Sequence, residues 1–112
     1  MRKKKILCTI CARKGSKGLK NKNILKLSGK PLIFHTISQA KKIKVISKIV
    51  VSSNSRKILN LAKKKVDLCI PRPEKFSNDK SSKIDAIKHA LLFSEKNFKT
   101  NFDFIIDLDV TS

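Results

Sequence analysis

Basic and small polar residues follow directly after an apolar run near the start of the chain. The run covers Ile6–Ala12, and residues 13–23 then read R-K-G-S-K-G-L-K-N-K-N. Glycines let the backbone approach a ligand closely, successive N–H groups can cradle an anion, and basic side chains neutralise phosphates. These residue types point to a nucleoside triphosphate. The spacing is neither that of a P-loop nor G-x-G-x-x-G, so an ordinary solvated turn in a Lys-rich chain is an equal alternative on the residues alone.

A second polar segment lies between a later apolar run and a stretch of helical periodicity. Pro71 and Pro73 favour an extended loop after a strand, so Arg72 between them is held where it can point at a ligand. Ser82 has an acidic residue three positions later, which is the spacing of a capping box. On the residues alone, a helix cap is the favoured role for Ser82.

Two carboxylates mark the end of the last apolar run. Asp107 and Asp109 are two residues apart, which places both on one face of a strand. Carboxylates in that arrangement can hold Mg²⁺ beside a polyphosphate. Acids that only mark the end of a strand are an equally weighted alternative.

The elements that must position these residues alternate between strands and helices. This alternation predicts an α/β fold with a parallel sheet, and open sheets of this kind bind ligands at the carboxyl ends of their strands. Strands are predicted over Ile6–Ala12, Lys48–Ser52 and Asp67–Ile70, and a further buried strand begins at Phe104. Helices are predicted over Pro31–Lys42 and over Lys83–Glu95, the second with Ile84, Ile87 and Leu91 on one face. Another helix, capped by Ser53 or Asn54, lies between the second and third strands and has apolar Ile58, Leu59 and Ala62.

Three stretches resemble one enzyme family, the acylneuraminate cytidylyltransferases or CMP-sialic acid synthetases, whose relatives activate Kdo, legionaminic acid and pseudaminic acid. The first loop is similar to the family signature A-R-x-x-S-K-G-x-x-x-K-N. R-P-x-x-x-x-x-D-x-x-S, from Arg72 to Ser82, and the ending L-D-V-T-S, beside the family's L-Q-P-T-S, resemble two further family segments. The resemblance covers all 112 residues but only about the first half of such an enzyme.

The resemblance implies a fold and a reaction. The fold is a three-layer Rossmann-like nucleotide-diphospho-sugar transferase fold with a mostly parallel sheet, truncated after about its first half. Residues 1–112 would then be the N-terminal CTP-binding part of a single nucleotidyltransferase domain. The implied reaction couples CTP to the anomeric hydroxyl of an acidic sugar of the sialic, legionaminic or pseudaminic acid type, which gives CMP-sugar and pyrophosphate. We expect weak nucleotide binding and little synthesis by this chain alone.

The resemblance also assigns roles to individual residues. The D-x-T-S at the end of this sequence is closer to the legionaminate, pseudaminate and Kdo relatives than to the sialate enzymes. A cation, Mg²⁺, would bridge the phosphates. The assigned residues are Arg13 and Lys22 for catalysis, Arg13, Ser16, Lys17 and Asn23 for the triphosphate and nucleotide, Arg72 and Ser82 for the base, Asp109, Thr111 and Ser112 for the sugar, and Asp107 and Asp109 for the metal.

The net charge of +19 supports a different hypothesis, a basic nucleic-acid-binding α/β module. An inactive remnant of the enzyme is a third. Few Arg and no Trp or Tyr occur, which disfavours base readout and stacking, so nucleic acid is the less favoured partner.

Without a membrane span or signal peptide we expect a cytoplasmic protein. The resemblance implies a homodimer for the complete enzyme. We expect Cys8, Cys11 and Cys69 to be buried free thiols, and His35 and His89 to be structural.

Overall fold

The computed structural model describes residues 4–12, 26–27, 30–73 and 83–109. Within these ranges strands and helices alternate as the sequence predicts, whereas a small two-stranded ribbon after the first strand is not predicted. The elements in chain order are β1 (Ile6–Ala12), β2 (Lys26–Leu27), β3 (Lys30–Pro31), α1 (Leu32–Lys41), β4 (Lys48–Ser53), α2 (Arg56–Ala62), β5 (Leu68–Pro71), α3 (Lys83–Phe98) and β6 (Phe104–Asp109).

The main sheet has the strand order β5-β4-β1-β6, and all of its pairs are parallel. β1 lies inside this sheet, with β4 on one side and β6 on the other. β2 and β3 form a separate antiparallel ribbon that precedes α1. The predicted α/β class with a parallel sheet is therefore confirmed.

Helices cover both faces of the sheet, which gives three layers. Successive side chains of a strand point to opposite faces, so a strand buried on both faces is apolar throughout. In β1, Ile10 packs into a core with Ile37 of α1 and Ile58 of α2. Leu7 packs into a second core with Ala90 of α3. The apolar run of β1 thus supplies both cores at once.

Two predicted helix starts are wrong by a few positions. Pro31 belongs to β3 rather than to α1, because a proline suits a short strand end as well as a first helical turn when no N–H is required there. The N-cap of α2 is Ser55, not Ser53 or Asn54. β4 extends one residue further than predicted, and the Ser53 hydroxyl accepts a hydrogen bond from the Ser55 N–H at 3.0 Å.

The face that α3 buries also differs from the prediction. Its buried residues are Ala86, Ala90 and Ser94, each one turn apart, whereas Ile84 is 65% exposed. Small side chains let a helix pack closely against the sheet, so the large apolar residues lie at the margin of the contact. Leu91 is half-buried and packs against the second core.

The third and last strands of the main sheet also depart from expectation. Asp67 precedes β5, and its carboxylate accepts a hydrogen bond from the Ile49 N–H at 2.7 Å. Among the described strands β6 pairs only with β1, so residues 105–108 are half-buried and Phe104 is 56% exposed. An outermost strand has a neighbour on one side only, which is why β6, expected to be buried, is only partly buried.

The cap of α2 provides a test of this local structure. The Ser55 hydroxyl accepts a hydrogen bond from the Ile58 N–H at 3.3 Å. We expect Ser55→Ala to lower the free energy of unfolding by about 1 kcal/mol, because an N–H at the helix start loses its acceptor. Urea denaturation followed by circular dichroism measures this. Lys57→Ala, at an exposed position of the same helix, is the control, and a larger loss in Asn54→Ala than in Ser55→Ala would contradict the assignment.

Candidate functional site

The carboxyl ends of the parallel strands meet at one edge of the sheet, which we call the carboxyl edge. β1 ends at Ala12, β5 ends at Pro71 immediately before Arg72, and β6 ends at Asp109. α3 begins at Lys83, on the return from the same edge. The starting points of all three sequence motifs are therefore brought together.

The side of the sheet that faces α3 changes from apolar to polar toward the carboxyl edge. Residues paired between parallel strands share a face, so Leu7 and Thr9 lie on the same side as Asp107, which is paired with Thr9. Cys11 is paired with Ser52, which continues this face one step further. Thr9 and Ser52 are fully buried. The α3-facing side of the sheet is therefore polar at its carboxyl end.

Asp107 makes two defined contacts at the carboxyl edge. The Thr9 hydroxyl donates a hydrogen bond to Asp107 Oδ1 at 2.7 Å. Lys83 Nζ lies 3.0 Å from Asp107 Oδ2. The side chain of Asp107 is 16% exposed, whereas that of Lys83 is 47% exposed. Both carboxylate oxygens therefore have a donor from the protein itself.

This arrangement does not fit a divalent cation at Asp107. An ammonium group already neutralises the carboxylate, and a second cation beside it would be repelled. In the part of the chain that the structure describes, no group of three or more His, Cys, Asp or Glu residues is placed to hold a metal ion. Asp109 lies in β6 opposite Cys11. The magnesium site stays a prediction.

Arg72 is a buried cation at the end of β5. Its side chain is 7% exposed, and its backbone N–H donates to the Ser53 carbonyl at 2.8 Å. This bond continues the pairing of β5 with β4 past Pro71, whose nitrogen has no hydrogen to donate. The guanidinium is near enough to Cys11 to oppose, in part, the rise in the pKa of that thiol that burial causes. Arg72 therefore belongs to the same edge of the sheet as the polar face of β1.

A cavity of about 550 Å³ lies beside β5 and α2. Arg72 and the neighbouring Ser53 and Asn54 contribute to its wall, together with residues of α2. Of the described site residues that the sequence predicts, only Arg72 lines it. The cavity is therefore adjacent to the carboxyl edge but does not by itself unite the predicted residues.

The three cysteines are free thiols, as expected, but only Cys8 is buried, while Cys11 and Cys69 are half-buried. Burial and, secondarily, the Asp107 carboxylate raise the pKa of Cys8 to about 11. The pKa of Cys11 is also raised to about 11, first by burial and then by Asp107, with Arg72 and Lys83 opposing the shift. Burial raises the pKa of Cys69. Cys8 faces α1 and α2 whereas Cys11 is on the α3 side, so the C-x-x-C spacing does not create a joint site.

Eight of the predicted site residues lie outside the described ranges. They are Arg13, Ser16, Lys17, Lys22, Asn23, Ser82, Thr111 and Ser112. Their neighbours in sequence are the carboxyl end of β1, the first residue of α3 and the carboxyl end of β6. The roles assigned to these eight residues stay predictions.

Comparison with known proteins shows to which family this chain belongs. The family described as cytidylyltransferase matches residues 7–102. This chain belongs to the cytidylyltransferase family. A CMP-N,N'-diacetyllegionaminic acid synthase of Campylobacter jejuni is 44% identical over 108 residues, which are 96% of this chain and 46% of that protein. An N-acylneuraminate cytidylyltransferase of Escherichia coli is 41% identical over 87 residues, which are 78% of this chain and 21% of that protein.

The fold of this cytidylyltransferase chain is also found in a solved structure. CMP:2-keto-3-deoxy-manno-octonic acid synthetase complexed with CTP superimposes with a TM-score of 0.71 and 22% identity. The match covers 95% of this chain and 40% of that one. The expected nucleotidyltransferase fold is therefore confirmed. The chain spans less than half the length of these relatives.

Among the residues that the structure describes, most of the exposed lysines lie away from the carboxyl edge. Each helix runs from that edge to the opposite one, and lysines cluster where the helices end and before β1. The described exposed lysines there are Lys4, Lys41, Lys42, Lys44, Lys63, Lys64, Lys65, Lys96 and Lys99, which we call the amino-edge lysines. Cations at helix carboxyl ends are favoured by the helix dipole. Their charge is therefore separate from any triphosphate bound at the carboxyl edge.

Among the described helices, none has the length and apolarity to cross a membrane.

Two residues of the carboxyl edge were not identified from the sequence. Thr9 lies within an apolar run, and Lys83 marks only the start of a predicted helix. A signal for Thr9 exists, since a polar residue in the middle of a strand buried on both faces requires a hydrogen-bond partner. No comparable signal marks Lys83, because its contact with Asp107 joins residues 24 positions apart.

The raised thiol pKa values lead to a measurable prediction. A pKa near 11 instead of 9.0 leaves about one hundredth of the usual thiolate at pH 8, and the thiolate is the reactive form. We expect Cys11 to react with iodoacetamide about a hundredfold more slowly in the native protein than in urea, because access and ionisation are both restored on unfolding. Peptide mass spectrometry follows each cysteine separately. A native rate within about threefold of the unfolded rate would contradict the raised pKa.

Proposed function

We propose that this chain is the CTP-binding part of a cytidylyltransferase that activates an acidic nonulosonic-type sugar. The reaction is attack of the anomeric hydroxyl on the α-phosphate of CTP, which gives CMP-sugar and pyrophosphate. One observation carries the proposal: the three motifs that resemble the family all start from the carboxyl edge of one parallel sheet. The family match over residues 7–102 and the CTP complex of the structural neighbour are consistent with it.

Nucleotide recognition is divided between two loops in this proposal. Arg13, Ser16, Lys17 and Asn23 hold the triphosphate and nucleotide, and Lys22 with Arg13 neutralises charge as pyrophosphate leaves. Arg72 and Ser82 contact the cytosine base. Of these residues only Arg72 is described, and its burial at the end of β5 supports a fixed position beside the base.

The sugar is proposed to be of the legionaminic acid type. Asp109, Thr111 and Ser112 are the residues assigned to it, and the relative that is 44% identical is named as a CMP-N,N'-diacetyllegionaminic acid synthase. A pseudaminic acid cytidylyltransferase of Campylobacter jejuni is 36% identical over 78% of this chain and 38% of that protein. Both names describe acidic sugars, which the basic loops suit.

Three further features belong to the proposal for the complete enzyme. Mg²⁺ would neutralise the polyphosphate, with Asp109 as the remaining candidate carboxylate on β6. The complete enzyme would be a homodimer and would act in the cytoplasm, where CTP is made. Each of these comes from the family resemblance.

A second candidate function is non-specific binding of nucleic acid by the amino-edge lysines. Nine exposed lysines at one edge of the fold favour it. Such binding falls steeply with salt and does not depend on the base. It would also be independent of Arg72, which is at the other edge. Lys64→Ala therefore serves as the probe of this surface and as the control for the nucleotide site.

Calorimetric titration of the protein with CTP and with ATP, in Mg²⁺ at moderate salt, tests the proposed function. We expect tighter binding of CTP, and a loss of roughly tenfold or more in CTP affinity in Arg72→Ala, because hydrogen bonds to a charged donor are lost. Arg72→Lys keeps the charge but not the planar fork, so it should also weaken CTP. Lys64→Ala should bind CTP normally. Equal, salt-sensitive binding of both nucleotides would contradict the proposal and favour the nucleic-acid hypothesis.

A further inference from the structure

Asp107 joins three elements at the carboxyl edge of the sheet. It lies on β6, accepts a hydrogen bond from Thr9 of β1 at 2.7 Å, and forms an ion pair with Lys83 at the start of α3 at 3.0 Å. We call these three side chains the Asp107 network. Thr9 and Asp107 are already fixed relative to each other by strand pairing, since they are directly opposite residues. The contact that adds a new constraint is therefore the one to Lys83.

We propose that the Asp107 network anchors the first turn of α3 to the sheet and thereby holds the start of this helix in the position that nucleotide binding at the carboxyl edge requires. In this assignment Asp107 is a positioning residue rather than a magnesium ligand. The inference rests on the proposed function for the nucleotide, whereas the anchoring itself does not.

The position of Lys83 is the first argument. A cation in the first turn of a helix is disfavoured, because the amino end of the helix dipole is positive. Lys83 occupies that position in a helix of 16 residues. The carboxylate of Asp107 offsets this cost from outside the helix. The pairing thus explains a residue that local helix preferences do not.

The geometry of Asp107 is the second argument. Its carboxylate is 16% exposed, so the ion pair is shielded from water on one side and is stronger than a fully exposed pair. The Thr9 hydroxyl, on a fully buried strand residue, orients the carboxylate by holding Oδ1. Oδ2 is then directed at Lys83. A rigid acceptor of this kind selects one position for the flexible lysine.

The location of the two anchors is the third argument. Ten residues, 73–82, connect Arg72 to Lys83. The Arg72 end is fixed by its backbone bond to Ser53 and by burial of its side chain. The Lys83 end is fixed by Asp107. Ser82, which the family resemblance assigns to the base, directly precedes Lys83 in the sequence, so the anchored residue is one position from a proposed nucleotide contact.

The experiment combines nucleotide affinity with hydrogen exchange in the 112-residue chain. Asp107→Asn keeps an acceptor for Thr9 but removes the charge, and Lys83→Met removes the ammonium group. We expect each to raise the dissociation constant for CTP by roughly tenfold, and the double variant to raise it no further, because both changes break the same contact. Lys83→Arg should restore the affinity. Lys88→Met removes an exposed charge further along α3 and should leave the affinity unchanged.

Hydrogen exchange separates anchoring from binding. In the absence of nucleotide, amides at the start of α3 should exchange faster in Asp107→Asn and Lys83→Met than in the wild type, while those near Ala90 should not change. Normal exchange would overturn the anchoring. Faster exchange with unchanged CTP affinity would show a purely structural role and overturn the positioning. Additive losses in the double variant would show that the two residues act separately. Absence of CTP binding by the wild type would refute the proposed function, and the exchange result would still decide the anchoring.

Discussion

The parallel pairing of β1 with two neighbours is the constraint on which the rest of this structure depends. β1 pairs with β4 over Leu7–Ala12 and with β6 over Ile6–Cys11, so its hydrogen-bonding groups are used on both sides. Because all of these strands run in the same direction, their carboxyl ends emerge at one edge. Three motifs that are separated along the chain by dozens of residues thereby start from the same edge of the sheet. The alternation of side chains along β1 simultaneously supplies both apolar cores.

The same edge shows how the protein manages charge near a buried surface. Desolvation raises the pKa values of the Cys8 and Cys11 thiols, which keeps them neutral beside the carboxylate of Asp107. Asp107 itself is stabilised by a hydroxyl and an ammonium group. The positive charge of the amino-edge lysines is kept at the opposite end of the sheet. Among the described residues, the carboxyl edge therefore combines the Asp107–Lys83 ion pair with neutral thiols.

How far the sequence could predict this structure varies from element to element. Strand β1 was predicted with its observed bounds, because a short apolar run followed by polar residues has few alternatives. The start of α1 and the cap of α2 were misplaced by one or two residues, since proline and serine are compatible with either side of an element boundary. The buried face of α3 was misjudged at Ile84, because residue size suggested burial where close packing against the sheet required alanines. The location of Arg72 after a strand was predicted, but its burial was not.

The sequence by itself determined the fold class, the alternation of the main-sheet strands with helices, and the family, because hydrophobic periodicity and the signature loops are local along the chain. Only the tertiary structure decided that Thr9, Asp107 and Lys83 form one network. The physical reason is that strand order and register bring together residues nearly a hundred positions apart, and local preferences carry no information about such pairs. The position of β6 beside β1, rather than beside β5, is the feature that places Asp107 opposite Thr9.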